Sequence, residues 1–374
     1  MEQNRLKKEH NEQEKISEPP LLPDLPPFFR WVLRLVFVAL IIVPLGITST
    51  RITVHFLKPT IHYSEPASVF EADLPYFYID AAWLNDREIL LLGFPESPQK
   101  NNDVEFRVFD TETQKWRILN RVQMDCDLHN PFHDLLSGDT IFMRLQDGRV
   151  GMKLFCYKDQ VLLLEPQVDG NQLTFKSITQ FPRQGCEQRG IYANYISPDL
   201  VNRFSPVFSI RSDNIQFVLE ATGSSSCQRN TASPPVTLDY ESVVAWSNSG
   251  ESIALSSQRS GSNSLDPTEY ITLMDAQSLE SEILLKRVYD IAYLEWLQGD
   301  EELFFTGEIW GEDGAWILDL ESAELWYLYG LSDPGYIRAA SLSPSARYFF
   351  AQQNDRDGSS PSRYELVIVE LPPR

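Results

Sequence analysis

The sequence predicts an all-β protein: a six-bladed β-propeller with four-stranded antiparallel blades, preceded by one N-terminal transmembrane α-helix. Three observations lead to this fold class. A group of four short apolar strands recurs along the chain at intervals of about 50 residues. Residues that favour tight turns separate the strands within each group. Finally, one apolar run near the N-terminus, Trp31 to Thr50, is long enough to cross a lipid bilayer.

Composition indicates a large folded domain with an acidic surface. The chain has 374 residues, of which 43% are hydrophobic and 23% are charged, as in ordinary globular proteins. Its net charge is -21, and phosphate backbones repel a polyanion, so nucleic acid is excluded as a partner. The simplest interpretation of this acidity is that it keeps the protein soluble. A basic partner protein or peptide, or diffuse cation binding, is the alternative.

The N-terminal segment carries the membrane signal. Residues 1–28 are polar and then proline-rich, and we expect them to form a disordered tail. Residues 29–50 are predicted to form the transmembrane helix. Within it, Arg34 can extend its charged end to the headgroups, and membrane helices tolerate a proline such as Pro44. The lipid bilayer is therefore an expected partner.

Flanking charge predicts the orientation of this helix. Lysines and arginines are concentrated before the apolar core, which places the N-terminus in the cytoplasm and the rest of the chain outside the plasma membrane. A cleaved signal peptide is the alternative, but no small-residue cleavage site follows the run. We then expect a linker over residues 51–70 and an extracytoplasmic β-propeller over residues 71–374.

The repeat is clearest in the C-terminal half. Copies start at Val244, Tyr293 and Ala340, and an earlier copy starts at Ala81. In each copy a strand ending in Trp or Leu is followed by a polar turn, a second strand and a variable loop. A third strand then ends in an acidic residue, and a fourth closes the group. Residues 121–240 fit less well and accommodate either two degenerate copies or a small inserted domain.

A family resemblance rests on particular motifs. The run AWSNSGESIALSSQRSG, followed by EYITLMDAQS, resembles the WD40-like repeat of TolB-type propellers, and residues 340–370 resemble it too. The resemblance implies a platform that binds other proteins, and it specifies a fold rather than an activity. Prolyl-oligopeptidase-like enzymes carry similar blades beneath a hydrolase domain, but this sequence has no G-x-S-x-G motif.

Four cysteines follow the predicted helix, and outside the membrane they are candidates for disulfides. Four cysteines allow three pairings, and no CxxC motif suggests a zinc site. We expect the neighbours along the chain to pair. The candidate bonds are Cys126–Cys156 and Cys186–Cys227.

Acidic, aromatic loops are the candidate binding sites. One contains Trp83 and Asp86, and the other contains Trp310, Glu312 and Asp313. Such loops line one end of a propeller and can hold a ligand. The competing interpretation is that the tryptophans at strand ends pack between blades.

The histidine pair is a weaker candidate. Pro131 lies between His129 and His133, which disfavours the helix that would present both imidazoles to one zinc ion. No catalytic residue, cofactor or metal ion is predicted.

The sequence therefore predicts a membrane-anchored, non-enzymatic module that docks a protein partner on one face of the propeller. A ligand-binding sensor and a hydrolase with an acidic central pocket are the alternatives. An exposed apolar or aromatic patch on one rim would favour the interaction module. Carboxylates or histidines that converge on the central channel would favour an enzyme.

Overall fold

A computed structural model describes most of the chain after the predicted anchor. The described residues are 59–74, 78–93, 103–123, 141–156, 160–182, 195–208, 215–221, 230–232, 243–258, 269–332, 337, 339–354 and 364–372. The predicted tail, the predicted transmembrane helix, the paired histidines and the side chains of all four cysteines lie outside this part. Within it, no helix has the length and apolar character needed to cross a bilayer.

All regular structure in the described residues is β-strand, which confirms the predicted all-β class. The chain starts with β1 (Ile61–Tyr63) and β2 (Ser68–Leu74), which join sheets that later strands complete. The next sheet contains β3 (Tyr78–Trp83), β4 (Glu88–Gly93), β5 (Asp103–Asp110) and β6 (Lys115–Gln123). It is followed by β7 (Phe142–Arg144), β8 (Val150–Cys156), β9 (Gln160–Asp169) and β10 (Gln172–Pro182). Then come β11 (Tyr195–Ile196), β12 (Asn202–Phe208), β13 (Ile215–Ala221) and β14 (Asn230–Ala232).

The C-terminal half contains an eight-stranded sheet and a last four-stranded sheet. The eight-stranded sheet contains β15 (Val244–Trp246), β16 (Ser252–Gln258), β17 (Glu269–Asp275), β18 (Ser281–Trp296), β19 (Glu302–Ile309), β20 (Glu312–Asp319) and β21 (Leu325–Gly330), together with β1. The last sheet contains β22 (Ala340–Leu342), β23 (Tyr348–Asn354) and β24 (Tyr364–Glu370), together with β2.

The long strand β18 divides the eight-stranded sheet into two four-stranded halves. Residues up to Val288 pair with β17, whereas Val288, Tyr289 and the residues from Tyr293 onward pair with β19. The register shifts between Tyr289 and Tyr293, and Asp290 there has a positive φ of 52°. Because of this bend, β18 is both the last strand of one group of four and the first strand of the next group. We call each group of four strands a unit, and its first strand the inner strand.

Consecutive units contact each other through their inner strands. β3 contacts β22 and β7, and β15 contacts β11 and β18. Between β7 and β11, the Gln146 amide donates to the carbonyl oxygen of Pro198 at 3.2 Å. The circuit returns to its start because β19 contacts β22. This sequence of inner strands around one axis is the arrangement of a β-propeller.

Residues 121–240 contain two of these four-stranded sheets, as the degenerate copies predict. Their repeat signal is weak because their inner strands end in Arg144 and Ile196, where other units have Trp or Leu. Strand β1 falls within residues 51–70 and pairs in parallel with β21.

The periodic tryptophans pack between units. Trp83 is fully buried, and its Nε1 donates to the carbonyl oxygen of Ser341 in the preceding unit at 3.0 Å. Trp296 repeats this contact with the carbonyl oxygen of Ala245 at 3.0 Å. In each case the indole fills the space between two inner strands and satisfies its own polar atom. This geometry explains why the repeat is visible as tryptophan spacing.

In two of the units, an aspartate braces the first turn against the neighbouring unit. The Asp86 carboxylate accepts a hydrogen bond from the Ser345 amide at 2.7 Å. The Asp300 carboxylate accepts in the same way from the amides of Asn248 and Ser249, at 2.7 and 2.8 Å. The turns at this end of the units are therefore joined side by side.

The acidic residues that end the third strands hold the next turn. Asp110 accepts hydrogen bonds from the amides of Glu112 and Thr113, each at 3.0 Å. It also pairs with Arg87 at 2.6 Å, and the hydrogen bond from this guanidinium lowers the pKa of Asp110 to about 2. Glu370 pairs with Arg347 in the same position of the last unit, at 2.7 Å.

Strand β2 completes the last unit, so we expect a substitution at a buried position of β2 to destabilise the whole ring. Ala72 is buried beside Leu366, whereas its neighbour Glu71 is exposed. We expect Ala72→Asp to lower the free energy of unfolding by on the order of 2–4 kcal/mol, because it buries an unpaired carboxylate.

Urea unfolding of the detergent-solubilised chain measures this change. Glu71→Asp is the matched control, since it places the same carboxylate on the exposed face of the strand. If the two variants unfold at the same urea concentration, β2 does not contribute to closure.

Candidate functional site

The two predicted loop sites lie at opposite ends of the sheets. Trp83 and Asp86 flank the turn between the first and second strands of their unit, whereas Trp310 lies in the turn between the second and third strands of its own. Antiparallel strands place these two kinds of turn at opposite ends. Trp83 is buried and Asp86 braces a neighbouring turn, so this pair is structural. The structure does not bring the two groups together.

The second group, in contrast, belongs to an exposed surface that we call the aromatic edge. It contains Tyr63, Trp310, Glu312, Asp313 and Tyr327, which come from β1, the β19–β20 turn, β20 and β21. Glu312 and Asp313 are exposed, Trp310 and Tyr327 are half-buried, and Tyr63 is 60% exposed. Large aromatic side chains at this level of exposure are typical of binding surfaces.

Strand β1 brings Tyr63 to this surface. Its parallel register places Tyr63 beside Tyr327, with 5.6 Å between the ring centroids. The Tyr63 hydroxyl donates to Glu312, with Oε1 at 2.9 Å and Oε2 at 3.1 Å. The neighbouring His62 stacks on Trp326 at 4.4 Å. The strand is therefore held by side chains as well as by its backbone.

Two glycines make room for the ring of Tyr327. A Cβ at Gly314 would lie 2.5 Å from Cε2 of Tyr327, and a Cβ at Gly330 would lie 2.8 Å from its hydroxyl oxygen. The Tyr327 hydroxyl donates to the carbonyl oxygen of Asp313 at 3.2 Å. Trp316 meets the ring edge-on at 4.7 Å from inside the unit. The aromatic edge is therefore a fixed surface.

Electrostatics make the aromatic edge attractive to a cation. The hydrogen bond to Glu312 raises the pKa of Tyr63, and burial followed by the charge of Glu312 raises that of Tyr327. Both phenols are consequently neutral at pH 7, while the carboxylates of Glu312 and Asp313 carry negative charge. Guanidinium and ammonium groups bind such a combination of carboxylates and aromatic faces.

A second polar cluster, which the sequence did not reveal, lies where inner strands meet. We call Arg144, Glu295 and Ser341 the axial cluster. Glu295 Oε2 accepts from the Ser341 hydroxyl at 2.8 Å and from the Leu342 amide at 3.3 Å, and Arg144 Nε lies 3.7 Å from Oε1. Burial raises the pKa of Glu295, and the charge of Arg144 opposes this. The available signal was a glutamate directly before Trp296 in an apolar strand.

Asp80 is a buried carboxyl on the inner strand β3. It is 2% exposed and accepts hydrogen bonds from the amides of Ala81 at 2.8 Å and Phe142 at 2.7 Å. Burial raises its pKa to about 7, although these amides and the nearby Lys153 act in the opposite direction. The carboxyl thus links two neighbouring units and changes charge near neutral pH.

In the part of the chain that the structure describes, no three His, Cys, Asp or Glu side chains form a group that could hold a metal ion. No family model matches the sequence. No curated protein is similar to it at a significant level.

Solved structures with a similar fold include propeller proteins of several kinds. TolB from Acinetobacter baumannii is 12% identical, with a TM-score of 0.38 over 74% of this chain and 78% of that one. Putative TolB from Agrobacterium tumefaciens is 13% identical, with a TM-score of 0.40 over 72% and 98%. An oligogalacturonate lyase in complex with manganese is 10% identical, with a TM-score of 0.44 over 83% and 98%.

The pKa of Asp80 predicts how stability depends on pH. Its pKa is about 7 in the folded chain against an ordinary value of 3.8, so the folded state binds an extra proton between these two pH values. The stability from this group is complete below pH 4 and is lost as pH rises through 7, by on the order of 4 kcal/mol. In Asp80→Asn this loss should disappear.

Urea unfolding of wild type and variant at several values between pH 4 and pH 8 measures the difference. Asp147→Asn is the control, because hydrogen bonds from Arg149 lower the pKa of exposed Asp147 from its ordinary value of 3.8. This carboxyl therefore changes charge below pH 4, and its replacement should leave the shape of the profile between pH 4 and pH 8 unchanged. Parallel pH profiles for wild type and Asp80→Asn would contradict the prediction.

Proposed function

We propose that this chain is a single-pass plasma-membrane protein whose extracytoplasmic domain is a β-propeller that acts as a non-enzymatic protein-interaction module. The observation that carries this proposal is the aromatic edge. It is exposed, rigid and rich in the residue types that dominate binding energy at protein interfaces. It also contains three of the five residues that the sequence singles out as binding candidates.

The propeller in this proposal has six blades. The four separate sheets supply one blade each, and the two halves of the eight-stranded sheet supply two more. Strand β1 is then an additional fifth strand on one blade, beside β21. A closed ring leaves few free sheet edges, so an extra strand at the circumference is a distinctive feature of this blade.

The partner that best fits the aromatic edge is a protein with an exposed basic segment. The chain carries a net charge of -21, which attracts basic surfaces over long distances and accelerates encounter. At the surface itself, an arginine or lysine of the partner can lie against Tyr63 while it pairs with Glu312. Together these contacts supply both charge complementarity and apolar contact area.

The membrane location rests on the sequence. Residues 29–50 have the length and the aromatic and basic flanks of a transmembrane helix, and the excess of positive charge on the N-terminal side favours a cytoplasmic tail. With this orientation, the aromatic edge faces partners outside the plasma membrane.

Partner capture tests the interaction directly. Cross-linking in intact cells followed by purification of the tagged full-length chain should recover a basic protein. Tyr63→Ala combined with Glu312→Gln should reduce that recovery at least tenfold, because it removes an aromatic contact and a charge from the same surface.

Val201→Ala is the matched control, since Val201 is 55% exposed and lies on a different unit. Both variants should keep the wild-type melting temperature. Equal recovery from the double variant and wild type would refute the role of the aromatic edge.

Protease protection tests the orientation of the transmembrane helix. Protease added outside intact cells should digest residues 71–374 and leave an epitope within residues 1–28 intact until the membrane is permeabilised. Digestion of that epitope in intact cells would mean that the tail is outside.

A hydrolase with an acidic central pocket is the second candidate, favoured by the buried carboxyls of Asp80 and Glu295. Both oxygens of Glu295 are near protein partners, however, and both oxygens of Asp80 accept backbone amides. These contacts explain the two groups as supports between units, which is why the interaction module is preferred.

A further inference from the structure

Strand β1 has one edge that pairs with β21 and a second edge on which no strand of the described residues lies. We call this second edge the free edge. Because β1 is added to a unit that already has four strands, it lies one strand spacing, about 4.8 Å, beyond the width of a four-stranded sheet. The unpaired backbone groups of an edge strand are a template on which another chain can add a strand.

The hydrogen bonds between β1 and β21 show which backbone groups are already used. The Leu325 amide donates to the carbonyl oxygen of Thr60 at 2.9 Å, and the Ser64 amide donates to the carbonyl oxygen of Tyr327 at 2.9 Å. Successive residues of a strand direct their backbone N–H and C=O groups to opposite edges. The residues at positions 60, 62 and 64 therefore face β21, and the residues between them face away from it.

Ile61 and Tyr63 consequently direct their N–H and C=O groups to the free edge. These groups have the spacing of a β-ladder, so an extended segment can pair with both residues at once. Pro59 and Pro66 stand on either side of the strand and limit regular pairing to the residues between them. A partner segment of roughly five residues is therefore long enough to cover the free edge.

The composition of β1 does not protect this edge against pairing. Edge strands of natural proteins are commonly protected by charged side chains. Among the fourth strands of the other units, β6 carries Lys115, Arg117 and Arg121, and β10 carries Lys176. Strand β1 reads Ile-His-Tyr and contains no Lys, Arg, Asp or Glu. It therefore accepts an added strand more readily than β6 or β10.

Carboxylates lie near β1 on both faces of the sheet. On one face, Glu312 accepts the hydrogen bond from the Tyr63 hydroxyl at 2.9 Å. On the other face, Glu324 lies 3.2 Å from Nε2 of His62, and its side chain is 41% exposed. An added strand places successive side chains on alternate faces, so its basic residues meet negative charge on either face.

We propose that a partner protein binds this chain by adding a short, basic, extended segment to the free edge of β1. This inference rests on the proposed function, because it specifies how the basic segment of the partner is held. Backbone hydrogen bonds to Ile61 and Tyr63 supply affinity, while the carboxylates and the Tyr63 ring select arginine and lysine side chains. A second copy of this chain is a poor occupant, because each copy has a net charge of -21.

A synthetic peptide of alternating arginine and valine is the first probe, and the detergent-solubilised full-length chain is its target. Two further versions carry backbone N-methyl groups, one on every arginine and the other on every valine, so their charge and side chains are unchanged. Each modification removes the donors from one edge of the peptide strand, and only the other edge can then pair with β1.

Fluorescence anisotropy measures the three affinities. We expect one methylated version to bind as the unmodified peptide does and the other to bind at least tenfold more weakly. Equal affinities of the two methylated versions would mean that charge alone attracts the peptide. Either that result or no binding of the unmodified peptide would overturn the proposal.

Ile61→Pro tests the same edge from the side of the protein. It removes the N–H group that points away from β21, and edge strands tolerate proline at such a position, so β1 should stay in place. Ile61→Val is the matched control, since it retains the N–H group and a β-branched side chain. The proline variant should bind the unmodified peptide at least tenfold more weakly than wild type, and the valine variant should bind it within twofold of wild type. If the proline variant melts well below the valine variant, the comparison of the methylated peptides decides the question alone.

Cross-linking in intact cells separates this proposal from the proposed function. Recovery of the basic partner by Ile61→Pro, but not by Tyr63→Ala combined with Glu312→Gln, would mean that side chains alone bind the partner and that strand addition is wrong. Full recovery by the double variant would instead contradict the proposed role of the aromatic edge. Loss of the partner from both variants, with retention by Ile61→Val, is the result that we expect.

Discussion

The pairing of β2 with β24 is the interaction on which the rest of the structure depends. A four-stranded sheet with two apolar faces cannot bury both of them alone, so every unit needs a neighbour on each side. The last unit has only three strands from the C-terminal part of the chain, and the N-terminal strand supplies the fourth. This pairing joins one of the first described strands to the last unit, whose inner strand β22 contacts β3.

Closure of this kind determines where polar groups can be placed. Side chains on the inner strands are surrounded by several units, so each charge there needs a partner on another strand. Arg144 and Glu295 satisfy each other in this way, and Asp80 obtains its partners from the backbone of the next unit. At the circumference, by contrast, Glu312 and Asp313 remain exposed to solvent.

Much of the fold can be predicted from the sequence because equivalent side-chain contacts recur in successive units. Trp83 and Trp296 make equivalent contacts between units, and the aspartates that end third strands hold equivalent turns, so spacing alone revealed the repeat. The middle units were harder to predict because Arg144 replaces a tryptophan there. The axial cluster was not predicted, since it forms only when strands distant in sequence meet at the centre.

The candidate site, like the fold, is only partly predictable from the sequence. Trp310, Glu312 and Asp313 are consecutive enough to be noticed in the sequence, but Tyr63 is separated from Glu312 by 249 positions. The parallel pairing of β1 with β21 depends on the tertiary fold, and strand periodicity in the sequence does not predict it. The consequence is functional as well as structural: the most exposed aromatic ring of the site is supplied by a short strand at the start of the described chain. Since β1 adds to a unit that already has four strands, its release would remove Tyr63 from the surface and leave the ring closed.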